Sequence, residues 1–169
     1  MHYPTLRLLP RKEESILRLH PWVFSGAIAS YSEPVTDGSL VTVLDSKGKP
    51  LGTGHFGGGS IAVRLLSFSG EEVIDREFYK ARLQAALGLR LDCGLVRPKG
   101  TCERPNDTYR LVHGEGDGLP GLVIDIYDRT AVLQAHSMGM HEARMMIAEA
   151  LQEVYEEAGE SVGPLAGIY

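Results

Sequence analysis

Cysteine is scarce. Cys93 and Cys102 are the only two, with eight residues between them. That excludes a disulfide scaffold and the short CxxC spacing of a zinc knuckle, and it points to a reducing cytoplasm. Long apolar runs are also missing: no stretch approaches the roughly 20 residues that cross a bilayer, so no membrane partner is expected. The opening MHYPTLRLLPRKEES lacks the basic, then apolar, then small pattern of a secretory leader. There is one tryptophan, no internal repeat and no low-complexity segment. The remainder is ordinary globular composition: 169 residues, 43% hydrophobic and 23% charged, enough for one domain or two small ones.

An excess of positive charge is lacking too. The net charge of -5 argues against a generally basic nucleic-acid binder. Its distribution is uneven. Residues 1–70 hold seven Lys/Arg against five Asp/Glu, a balance of +2, whereas residues 71–169 hold ten against seventeen, a balance of -7. The first part can therefore meet phosphate while the second stays away, although the same charges would also suit a solvated surface. Within the acidic part, residues 76–110 carry eight Lys/Arg against four Asp/Glu, so a local basic strip is conceivable there.

Periodicity divides the chain near Ser69. Before it, TLRLL, LVTVL, the segment from Leu51 and IAVRLLSF read as short strands. A hairpin turn is predicted at Asp45-Ser46-Lys47-Gly48, and one or two helical turns before Pro21. Short strands with glycine-rich turns predict a small barrel. After Ser69 a helix is predicted, capped by a Ser69/Glu72 capping box or by Asp75, with Phe78, Ala81, Ala85 and Leu89 on one face. A loop over 93–107 leads to strands in YRLVHG, GLVIDIY and TAVLQAHS. MHEARMMIAEALQEVYEEAG then predicts one amphipathic helix with Ala143, Ile147, Ala150, Leu151, Val154 and Ala158 buried and Gly159 as its stop. LAGIY reads as the start of a strand: either the chain is cut within a larger protein, or an edge strand closes the second sheet. The fold class is α+β: a small β-barrel over 1–70, then a small α+β domain over 71–169 with an antiparallel or mixed sheet and two helices.

Searches for catalytic motifs fail one after another. Gly116-Asp117-Gly118-Leu119-Pro120-Gly121 matches GxGxxG after a strand, but the β-branched LVIDIY follows where a phosphate cradle needs a helix. A glycine-shaped hairpin turn fits better. His141-Glu142 begins like HExxH, yet Met145 stands where the second ligand belongs. Gly58-Gly59-Ser60-Ile61-Ala62 misses the last glycine of a nucleophile elbow, and the GGGS run lacks the P-loop lysine. His20, His55, His113 and His136 are scattered and read as structural or surface histidines. Cys93 and Cys102 have no evident base partner. Glu115 and Asp117 could form an acid/base pair, but carboxylates in such a turn are commonly caps. No catalytic, cofactor-binding or metal-ligating residue is assigned.

Two segments carry more. His20-Pro21-Trp22-Val23-Phe24-Ser25-Gly26-Ala27-Ile28 resembles the signature of the N-terminal PUA domain in the SAM-dependent 23S rRNA cytosine-C5 methyltransferase family. Arg110-Leu111-Val112-His113-Gly114-Glu115-Gly116-Asp117-Gly118-Leu119-Pro120-Gly121-Leu122 resembles the hallmark of that family's central domain. The resemblance runs from about Leu6 to the end of the acidic helix. It implies a PUA domain, a central α+β domain and then a Rossmann-like domain of roughly 150 residues holding the S-adenosyl-L-methionine site and the attacking cysteine. No unit of that third kind is visible, so this chain is expected to be inactive alone and to bind no cofactor itself. The loop over 93–107 is longer than the family's usual link.

Ribosomal RNA is the implied partner, and recognising it needs cations for phosphates and flat side chains for exposed bases. Arg11, Lys12 and Arg18 precede His20 and Trp22, and Lys47 and Lys49 sit at a predicted hairpin tip. These seven residues are the candidate RNA contacts. For the aromatics there is a competing place: a lone tryptophan in a small barrel belongs more often to the core, and Phe24 still more so. The expected function is the RNA-recognition and scaffold portion of an rRNA methyltransferase. The alternatives are a free-standing PUA-like RNA-binding module without enzymatic activity, or a protein-interaction domain.

Overall fold

The computed structural model describes residues 3–96, 106–159 and 162–169; Cys102 and most of the long loop lie outside them. The chain clusters into two compact units, one of residues 1–73 with 137–142, the other of 74–136 with 143–169.

In the first unit the strands are β1 (Thr5–Leu8), β2 (Trp22–Phe24), β3 (Ile28–Tyr31), β4 (Leu40–Leu44), β5 (Pro50–Phe56) and β6 (Ile61–Ser67), with one helical turn, α1 (Glu14–Leu17), between β1 and β2. They form one sheet in the order β2-β6-β5-β4-β1-β3, antiparallel except where β1 runs parallel to β4. The expected small barrel takes the form of a curled half-barrel with β2 and β3 at its ends. Alternation builds it: Leu6 and Leu8 point into a core shared with Val23, Val41, Val43 and Val63, while Arg7 between the leucines stays exposed. Glycine lets the strands close up. A Cβ on Gly54 would stand 2.1 Å from the Arg64 carbonyl oxygen, so only a residue without one fits that pairing.

Helix α1 ends in a Schellman motif. The Leu19 N–H donates to Ile16 O at 2.8 Å and the His20 N–H to Ser15 O at 2.9 Å, with Leu19 at φ +62 in the place glycine usually takes. This turn delivers the chain into β2.

In the second unit, α2 (Arg76–Asp92) is followed by β7 (Thr108–His113), β8 (Leu122–Tyr127) and β9 (Thr130–Ala135). Helix α4 (Arg144–Ala158) comes next, and β10 (Gly167–Ile168) pairs parallel with the edge of β9. Asp75 is the cap: its Oδ1 accepts from the Phe78 N–H at 3.0 Å, and no helix forms at the Ser69/Glu72 box. The buried face of α2 is Phe78, Tyr79, Leu83, Ala86 and Leu87. This corrects the predicted stripe, since Ala81, Ala85 and Leu89 face solvent. The alanine spacing was helical, but Leu83 and Leu87 bury more apolar area, and that decides which face turns inward. The predicted single helix over the acidic stretch is also corrected. It divides at Ala143 into α3 (Met138–Glu142), which clusters with the first unit, and α4, which buries Ile147, Ala150, Leu151, Val154 and Tyr155 in the second. Gly159, at φ +59, ends α4.

Candidate nucleic-acid interface

Period-two alternation in His20-Pro21-Trp22-Val23-Phe24 sends Val23 into the core and the three rings to the opposite face. His20 is exposed, Trp22 half-buried and Phe24 50% exposed. The rings form a ladder. His20 meets Trp22 edge to face at 5.5 Å between centroids, and Trp22 meets Phe24 at 6.4 Å. The expectation that Trp22 and Phe24 fill the core is therefore corrected. The physical reason is that Val23 already occupies the inward position of a three-residue edge strand.

The ladder is held in place by its own backbone. His20 Nδ1 accepts the Trp22 N–H at 3.2 Å, which fixes the ring against the strand that follows. Directly across from Trp22 in the antiparallel pairing stands Arg64 of β6, on the same face of the sheet. A side chain at Gly57 would come within 3.5 Å of Arg64 Nη1, so the guanidinium reaches toward the glycine-rich turn after β5. That turn is tied to the end of the ladder by the Ser25 N–H donating to Ser60 O at 2.9 Å. Gly58 and Gly59 are exposed, with nothing within 4 Å of where a Cβ would be.

The sequence-predicted cations fall into two groups, all exposed. Arg11 (φ +64) and Lys12 lie in the turn between β1 and α1. Arg18 follows α1 and pairs only loosely with Glu14, at 3.9 Å with both side chains mostly in solvent. Such a pair holds a cation without neutralising it for a stronger anion. Lys47 and Lys49 stand at the tip of the β4–β5 hairpin. Asp45 Oδ1 organises that tip by accepting the Lys47 and Lys49 N–H groups at 2.8 Å each, and these backbone donors hold its carboxyl below the usual range. The structure adds Arg7, whose Nη1 donates to Ser46 O at 3.3 Å beside the same tip. Sequence reading missed Arg7, Arg64 and the outward Phe24. A cation between two leucines or between two buried strand residues was the available signal for the first two.

The second unit disposes of the remaining candidates. Glu115 and Asp117 sit in a 3-10 turn that leads through Gly118, at φ +69, into β8, as a glycine-shaped bend requires. Asp117 is no acid/base partner. Its carboxylate takes both terminal nitrogens of Arg90, a pair with side chains only 5% and 12% exposed, and also accepts the His113 N–H at 2.6 Å. An open cavity of about 480 Å³ beside this pair is lined also by Cys93, Leu95 and His113. Cys93 is exposed and unbridged; Cys102 lies outside the described residues.

Four of the five described cations of the basic strip over residues 76–110 are paired with carboxylates. Arg76 and Lys80 pair with Glu153 and Glu157, Arg90 with Asp117, and Arg110 with Asp125 at 2.8 and 3.0 Å. Arg82 lies over the Phe78 ring at 5.1 Å. Among the described residues no cluster of three potential metal ligands exists, and no helix is long and apolar enough to cross a membrane.

Residues 6–68 match the family model described as a PUA-like domain. Over 156 residues, 92% of this chain, the sequence is 37% identical to ribosomal RNA large subunit methyltransferase I of Klebsiella pneumoniae. It is 39% identical over 153 residues to the protein of the same name from Escherichia coli, and 41% over 157 residues to that from Erwinia tasmaniensis, each covering 90% of the chain. The chain spans only 37–38% of the length of these curated relatives. Two solved structures share its fold. One is a proposed SAM-dependent methyltransferase from Streptococcus mutans, with TM-score 0.72 and 19% identity over 92% of this chain and 38% of that one. The other is a proposed methyltransferase complexed with SAH, with TM-score 0.71 and the same identity and coverage. The chain thus carries a PUA-like domain in an α+β fold and is homologous to rRNA methyltransferases.

Proposed function

We propose that this chain is the RNA-recognition and scaffold portion of a SAM-dependent rRNA methyltransferase of the cytosine-C5 type. In this reading the first unit, whose boundary we place near residue 70, grips the transcript and the second orients it. Handling of S-adenosyl-L-methionine and the methyl transfer itself belong to polypeptide beyond this chain. The observation that carries the reading is the outward aromatic ladder His20–Trp22–Phe24 on a PUA-like domain that also exposes Arg11, Lys12, Arg18, Lys47 and Lys49. Arg11, Lys12, Arg18, Lys47 and Lys49 are the proposed phosphate contacts, and His20 and Trp22 the proposed base contacts. The homology to rRNA methyltransferases and the SAH-bound structural neighbour support the substrate and the methyl donor. The paired state of the second unit's cations supports its secondary role, since charges already matched to carboxylates release little when phosphate approaches.

The test is binding of a structured rRNA transcript followed by fluorescence anisotropy at several salt concentrations. Affinity should fall steeply with salt. The Arg11→Ala/Arg18→Ala double variant should bind about tenfold more weakly, with the slope of log affinity against log salt reduced by about one to two. Binding that ignores both salt and these arginines would refute the assignment.

A further inference from the structure

We infer that the face of β2 takes unpaired RNA bases by stacking, rather than reading the shape of a duplex. The inference rests on the RNA-binding reading above and names the form of RNA that its site accepts.

Three observations carry it. First, the rings of Trp22 and Phe24 on the edge strand β2, and of His20 two residues before Trp22, are presented at positions i, i+2 and i+4, with Val23 serving the core. A duplex hides its base faces, so rings on a surface gain nothing from it beyond what a lysine offers; splayed bases stack on rings whatever their sequence. Second, the neighbouring residues are built for a backbone lying alongside. Arg64 stands opposite Trp22, and Gly58 and Gly59 close by leave open space where any side chain would stand. A strand whose bases rest on the ladder would bring its phosphates over this arginine and the bare turn. Third, the approach to the ladder is apolar. Leu17 and Leu19 are 65% and 68% exposed, and Leu19 is held at φ +62. Exposed leucines on either side of the exposed Arg18 fit an unstacked strand with its base faces open and not the charged outer surface of a helix.

Trp22 is the only tryptophan, so its fluorescence reports on this face alone. The intact chain is titrated with a single-stranded RNA of about twelve nucleotides, and separately with the same strand annealed to its complement, reading label anisotropy and Trp22 emission together. The expected result is tighter binding of the single strand with quenching of Trp22. In Phe24→Ala, which alters a side chain already half in solvent, single-strand affinity should drop about tenfold while duplex binding stays as it was. Trp22→Phe should retain most of the affinity and Trp22→Ala should not. Equal affinity for both forms, or single-strand binding that leaves Trp22 emission unchanged, would overturn this inference and leave the rRNA reading standing. Failure of either oligonucleotide and of the rRNA transcript to shift anisotropy would overturn both.

Discussion

Single residues show where the chain accepts a local penalty. Leu19 occupies the left-handed position of a Schellman motif with its side chain 68% exposed, so it has neither the conformational freedom of glycine nor the burial that would offset the lack of it. Leu19→Gly should therefore raise stability by about 0.5–1 kcal/mol, seen as a higher urea midpoint at unchanged slope. An unchanged or lower midpoint would mean that the leucine finds compensation its exposure does not suggest. At this scale the sequence was legible in part. The alternation in HPWVF held the information that the rings share a face, but not which face was the core. Frequencies for tryptophan and phenylalanine pointed inward, and they were overruled because Val23 is the residue that fits the interior of β2.

At the scale of elements, the second unit is joined by ion pairs of two kinds. The α2–α4 ladder of Arg76 and Lys80 with Glu153 and Glu157 lies at the surface, where each pair contributes little and is screened by salt. Arg90–Asp117 is different. It pins the last turns of α2 to the bend before β8, through a bidentate contact almost out of solvent and a further bond from Arg90 Nε to the Arg110 carbonyl at 3.2 Å. Asp117→Ala strands a guanidinium only 12% exposed and should cost about 3–5 kcal/mol in chemical denaturation, whereas Glu157→Gln should leave the urea midpoint nearly unchanged. Comparable losses from the two would show that the clamp is no more than another surface pair. Hairpins and helix ends were readable from sequence here, because Asp45, Asp75, Gly118 and Gly159 act through bonds and dihedrals within a few residues of themselves. The inward face of α2 was not, since alanine and leucine stripes both had helical spacing and only the packed partner chose between them.

At the scale of the whole molecule, one buried titratable group ties stability to pH. His55 on β5 is 4% exposed. Gly139 of α3 lies so close that a Cβ there would fall 2.1 Å from the imidazole Cγ. Burial lowers its pKa from 6.5 to about 4, so the fold holds the neutral ring. As pH falls through 6.5 the unfolded chain takes up a proton that the folded chain refuses, and stability declines until the folded form also accepts it near pH 4. The total loss is about 3 kcal/mol. Thermal or urea unfolding across that window should show the decline, and His55→Gln should flatten it. A wild-type profile level from pH 7 to 4.5 would contradict the burial argument. The stabilisation that Asp45 and Glu157 gain from depressed carboxyl pKa values lies lower, lost only as pH falls into the carboxylate range.

By itself the sequence determined most of the elements and their order (though not β2, β3 or the division of α3 from α4), the turns, and two motifs whose resemblance agrees with the PUA-like match and the rRNA methyltransferase homology. These follow from interactions that are local or that repeat along the chain. Tertiary structure alone decided that the rings of β2 face outward, that Arg64 joins them from another strand, that Asp117 is locked to Arg90, and that residues 140–142 leave the predicted acidic helix for the first unit. Each depends on partners 27 to 84 positions away in the chain, and no local pattern encodes which of two chemically similar faces will find its complement first.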